Sequence, residues 1–214
     1  MAMTGYNPQV VSNSINSVKN AYKAYNDAMN TGIQTRFVNA MESVWACEQA
    51  QNFFRNLYKP AIDELYNSVE TSLASVVNTM NAAARDWAAS TESDFSPINH
   101  EQIPNASNVD GIKLDLSGVK GIDLEAANST VAQLQAIKAE AETALEAAKS
   151  AVAECGFVGG DQQASIDASL AKIKTDGAAF VEKITTAVKN AIDNTATAYG
   201  QLEKNVSNAF TAKQ

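Results

Sequence analysis

An all-α fold of two long antiparallel helical hairpins in tandem, packed together as an intramolecular four-helix bundle, is what this sequence predicts. Three observations carry that reading. The composition suits long helices: among 214 residues Ala is very frequent and the helix formers Glu, Gln and Lys are common, while Pro (4), Gly (10) and aromatics (7%) are scarce. Four stretches repeat apolar residues at steps of three and four, the helical period. One stretch, about 95–122, breaks that period with Pro97, Pro104, Gly111, Gly118 and Gly121 and divides the four stretches two and two.

The first stretch places Val11, Ile15, Val18, Tyr22, Tyr25 and Met29 on one face and continues through Ile33, Phe37 and Met41 to Trp45, with Gly32 a weak spot. Asn7-Pro8 is its start signal, because proline suits a helix's first turn. The second stretch carries Phe54, Leu57, Ala61, Leu65, Val69, Leu73, Val76, Met80 and Trp87. Pro60 lies inside it and cannot donate to the carbonyl four residues earlier, so a kink near Leu57 or a delayed helix start is expected. Trp87 reads as packing alone. In the linker, Ile112, Leu114 and Leu116 alternate with Lys113 and Asp115, which fits a short extended piece.

The third stretch repeats the helical pattern at Ala127, Val131, Leu134, Ile137, Ala141, Leu145, Ala148 and Val152. It stops at Cys155-Gly156, where glycine suits a left-handed cap. After a turn holding Gly159 and Gly160, a fourth and very long helix is marked by Ile166, Leu170, Ile173, Gly177, Phe180, Ile184, Val188, Ala191, Thr195, Ala198 and Leu202. The organisation expected is a hairpin over 1–93, a linker over 94–122 and a second hairpin over 123–214. A solitary hairpin cannot bury both apolar faces, so each half needs the other. Helices of about 40 residues are roughly 60 Å long. A linker of 28 residues (95–122) spans up to about 90 Å, enough for the antiparallel arrangement. Cys47 and Cys155 then lie at opposite ends and do not pair.

A net charge of −8 and a pI near 4.7, with basic residues scattered singly, argue against a nucleic-acid partner. No apolar run is long enough to span a bilayer, and the amino terminus shows neither a basic nor an apolar signal region, so recognition by a Sec-type exporter is not expected. The cysteines have no metal-site spacing, and His100, the single histidine, has no Cys or His companion. Asp63, Glu64, Glu140, Glu142 and Glu146 fall on polar helix faces, and the Glu-x-x-His signature of catalytic di-iron bundles is absent. Neither an enzyme nor a cofactor is expected.

The first reversal reads Trp45-Ala46-Cys47-Glu48-Gln49-Ala50-Gln51-Asn52-Phe53. It resembles the turn of the W-x-G family of helical-hairpin proteins handled by type VII secretion systems, in which Trp-x-Gly joins two helices. Cysteine stands here where glycine is usual, and glycine is the residue that accepts positive φ cheaply. The second reversal, Phe157-Val158-Gly159, looks like the same feature with Phe for Trp, keeping the glycine the first copy lost. Tyr199-Gly200-Gln201-Leu202-Glu203, 42 positions after Phe157, matches the family's Tyr-x-x-x-Asp/Glu export signal late in the last helix. Residues four apart share a helix face, so Tyr199 and Glu203 can be read together by a receptor groove. Tyr66 and Glu70 have the same spacing but sit too near the first reversal, and no export function is assigned to them.

The resemblance covers residues 7–93 and 124–210. It implies a non-enzymatic protein of a Gram-positive-type bacterium, exported folded through the type VII route, with the secretion motor ATPase as partner. It also implies that Trp45 borders a cleft between a hairpin turn and a partner helix end. Two alternatives follow: a chaperone that pairs with another helical-hairpin protein or the helical amino-terminal domain of a larger toxin, and a structural helical spacer.

Overall fold

The computed structural model describes residues 7–105 and 121–211, with side chains through Asn208. Helix α1 (Pro8–Asn26) starts where Asn7 and Pro8 put it: the Asn7 carboxamide accepts from the backbone of Gln9 and Val10, and Pro8 needs no partner at the first turn. The rod continues through π-helical turns Asp27–Gly32 and Gln34–Val38 into α2 (Asn39–Val44). The apolar spacing explains these wide turns. Met29, Ile33, Phe37, Met41 and Trp45 are four apart without a compensating three, and in an α-helix each such step drifts about 40° around the axis. Widened turns absorb the drift, and all five side chains are buried.

After β1 (Trp45–Ala46), the second rod runs through α3 (Glu48–Phe53), a π turn Phe54–Tyr58 and α4 (Lys59–Ser90). The expected effect of Pro60 takes a different form. The helix neither starts late nor breaks, because the π turn just ahead of Pro60 has already shifted the ladder: the Lys59 N–H bonds to the Phe54 carbonyl, five residues back. The same shift turns Tyr58 into the core, while Leu57 is half-buried. Beyond it Ala61, Leu65, Val69, Leu73, Val76 and Met80 are all buried as their period requires.

Helix α5 (Leu124–Glu154) follows β2 (Gly121–Ile122), which pairs antiparallel with β1, Trp45 opposite Ile122. Asp123 joins the two elements. Its N–H donates to the Val44 carbonyl at 2.8 Å and its carboxylate caps the Ala126 N–H at 3.0 Å. All eight apolar positions expected on α5 are buried. Helix α6 (Gly160–Thr211) completes the fold.

Cross-contacts fix the directions. Tyr22 meets Ser72 on α4, Tyr25 meets the Ile173 carbonyl and Trp45 meets Thr195 on α6, and Lys174 of α6 meets Glu146 of α5. The first rod and α6 therefore run one way and α4 and α5 the other, and one hydrophobic core draws residues from all four. The reversals at Trp45 and at Phe157 lie at opposite ends. Cys47 and Cys155 are both buried and free.

The linker is more than a tether. From Asp94 to Asn105 it runs extended along the groove between α1 and α4, antiparallel to α4, and buries Ile103 in the core. His100, half-buried, is part of this strap. The extended piece expected at Ile112–Leu116 lies outside the described residues.

Candidate functional site

The residues singled out by the sequence fall into three places. At the first reversal, α2 stops at Val44 because Trp45 turns extended and enters the strand pair with Ile122. Its ring is fully buried, with the Phe53 and Phe54 centroids 5.8 and 6.3 Å away. The indole N–H donates to the Thr195 hydroxyl oxygen at 3.2 Å, and that hydroxyl donates to the Ala191 carbonyl at 2.8 Å. A large apolar ring with one satisfied donor ties the first half of the chain to the last helix of the second. The ring does not itself line an open cleft.

Cys47 is buried and extended, φ −160° and ψ 172°, and caps α3 by its backbone position alone. No left-handed conformation is needed there, so cysteine sits at this reversal without backbone strain. The second reversal is built differently. Gly156, at φ +71°, caps α5 as expected, and Gly160, at φ +54°, opens α6. Gly159 is not left-handed, and a side chain there would meet open space. Phe157 is buried. The two reversals do not share a backbone conformation, and the left-handed positions of the second are Gly156 and Gly160 rather than Gly159.

The third place is the end of α6. Up to Thr195 the helix is packed; Tyr199 is half-buried, and every side chain from Gln201 to Asn208 is exposed. Glu203 stands one turn beyond Tyr199 in solvent. Leu202, expected on the buried seam, is 58% exposed, and Val206 is 54% exposed. The helical period continues past Thr195, but among the described residues the other rods have ended, and the apolar face there is exposed. Among the described residues the stretch beyond Tyr199 is thus an exposed end of the helix.

Tyr66 and Glu70 serve the strap. The Tyr66 hydroxyl donates to the Ile103 carbonyl at 2.6 Å and Glu70 accepts the Ile103 N–H. The acidic residues of the helix faces are in ion pairs or solvent: Glu140 with Arg36, Asp63 with Lys59, Glu142 with Lys138 and Glu146 with Lys174. Hydrogen bonding to Arg36 holds the Glu140 carboxyl below its ordinary range. Burial pushes the Tyr22 phenol up to about 12 and raises Tyr25 and Tyr58 as well, so these rings are neutral core groups at physiological pH. Among the described residues no cluster of His, Cys, Asp and Glu could hold a metal ion, and no helix is long and apolar enough to cross a membrane.

No family model, no curated protein and no solved structure matches the chain. Sequence reasoning missed Thr195 as the partner of Trp45 and the β1–β2 pair. Thr195 was visible only as a polar residue on the apolar seam of α6, and strands of two residues leave no periodic signal.

Proposed function

We propose that the chain is a non-enzymatic helical-bundle protein exported folded by a type VII secretion system, and that the end of α6 is the segment its motor ATPase reads. The hydrogen bond from Trp45 to Thr195 carries this reading. It joins the first reversal to the helix of the other half one turn before Tyr199, so a hairpin turn meets a partner helix near its end as the W-x-G resemblance implies, with the ring buried rather than bordering a cleft. From there Tyr199 and Glu203 lie on a segment accessible to a receptor groove. No cofactor is required.

The test is secretion from the source bacterium. Tyr199→Ala with Glu203→Ala lowers the amount in culture supernatant at least as far as loss of the motor ATPase does, while the purified variant keeps the wild-type melting temperature. Export unchanged by both perturbations removes the reading. A second reading, a co-secreted partner or chaperone for another helical protein, is favoured by the exposed Leu202 and Val206. It predicts a stable complex with that protein in solution, which the isolated export substrate does not form.

A further inference from the structure

The strap is held by α1 and α4 as a peptide is held by a receptor. Asn81 pairs with both backbone groups of Ile98, its Nδ2 donating to the carbonyl at 2.8 Å and its Oδ1 accepting the N–H at 3.0 Å. The Ile103 N–H donates to Glu70 and its carbonyl accepts from Tyr66, while Asn26 Nδ2 donates to the Pro104 carbonyl at 3.1 Å. Five backbone groups are thus recognised by side chains of two helices. Such contacts are indifferent to the occupant's sequence, and specificity comes from where its side chains fit. Here Ile103 is buried and Ile98 half-buried, and Glu101 pairs at 3.3 Å with Lys19, whose side chain is only 16% exposed.

The occupant does not fill the groove. A half-open surface depression of about 460 Å3 remains between the strap and α4, bordered by Asn78, Arg85, Phe95, Ile98 and His100. A segment fixed at both ends, by α4 and by α5, is retained by its high local concentration even where its fit is imperfect. A free segment with the same backbone contacts and a side chain filling that depression competes with it.

We propose that the α1–α4 groove is a docking site for an extended segment of a partner protein, and that residues 94–105 are its resident, displaceable ligand. The segment carries two aliphatic residues five apart, as Ile98 and Ile103 are, an acidic residue two before the second to meet Lys19, and proline after it. An acidic side chain ahead of the first aliphatic position is favoured by Arg85.

The probe is a fluorescent peptide with the sequence of residues 94–105, titrated against the full chain by anisotropy. Ile98→Asp with Ile103→Asp ejects the tethered strap without touching the groove. The peptide binds this variant saturably and wild type at least about tenfold more weakly, because the tether outcompetes it. Adding Asn81→Ala to the variant weakens binding by about tenfold. Absence of saturable binding to a variant that retains helical circular dichroism, or binding insensitive to Asn81→Ala, overturns the proposal. Should the double variant not fold, isotope-labelled wild-type chain with millimolar unlabelled peptide decides the matter: the Ile98 and Ile103 amides exchange faster with solvent if the strap is displaced, and unchanged exchange overturns it.

Discussion

Gly177 sits in the middle of α6 on its buried face, where helix propensity alone favours alanine by about 1 kcal/mol. The structure predicts the opposite sign. A Cβ at Gly177 would collide with the Tyr25 hydroxyl oxygen and lie 3.4 Å from its ring carbon and 3.6 Å from the Met29 terminal methyl. The collision forces a displacement; the other two are ordinary contacts. Tyr25 is 1% exposed and its hydroxyl donates to the Ile173 carbonyl at 3.2 Å, so the ring has nowhere to swing. Overpacking costs about 1–3 kcal/mol, and orphaning a buried hydroxyl about 1–3 kcal/mol. Set against the propensity gain of about 1 kcal/mol, Gly177→Ala destabilises by about 1–5 kcal/mol. Urea unfolding followed at 222 nm measures it. Tyr25→Phe removes the clashing oxygen and serves as the control, and in that background Gly177→Ala falls to neutral or stabilising. A stabilising Gly177→Ala in wild type, or a penalty that persists in the Tyr25→Phe background, refutes the reasoning.

Trp45→Ala is expected to destabilise by about 3–5 kcal/mol, because a fully buried ring and its bond to Thr195 are lost together; a barely shifted melting temperature would contradict that burial. Cys47→Gly destabilises by about 1 kcal/mol in denaturant titration, since the extended backbone there gains nothing from glycine while the unfolded chain gains freedom; a stabilised variant would mean that the position needs positive φ after all. Burial pushes the Asp176 carboxyl up, but hydrogen bonds from Lys172 and Ser68 outweigh it and leave it below its ordinary range near about 4. A lowered folded-state value contributes stability above the ordinary range that is lost as pH falls through the lowered value, so Asp176→Asn costs about 0.5–1 kcal/mol at pH 7 and less at pH 2. A penalty equal at both pH values would show that the charge is not its cause.

The all-α class and the inward faces were legible because period alone decides them: every expected seam residue of α5 is buried. The π turns were legible in principle, since five apolar residues at unbroken steps of four cannot stay on one face of an α-helix. What the pattern could not say is whether a face has a neighbour. Leu202 obeys the same period as Val188 and Thr195, yet it lies beyond the ends of the other rods. Nor does period describe backbone recognition. Asn81, Glu70 and Asn26 read as polar surface positions, and only the path of the strap reveals what they hold. At the reversals Gly156 takes the left-handed cap its residue type suggests, whereas nothing in the residue type of Cys47 announced an extended backbone, and the two ends solve the same problem differently.

The antiparallel arrangement has a consequence for the proposed export role. With the two reversals at opposite ends, each end pairs one reversal with the terminus of the other half's last helix. At the Trp45 end that helix is α6, which runs on past Thr195 into solvent. At the Phe157 end it is α4, which stops at Ser90, where Thr91 and Ser93 close its last turn and the chain folds back as the strap. Tyr66 and Glu70, which carry the same spacing as Tyr199 and Glu203, lie mid-helix and are committed to Ile103. Among the described residues one end therefore offers an exposed helix end and the other does not, so under the proposed export role a receptor that reads such a helix engages this bundle once and in a single orientation.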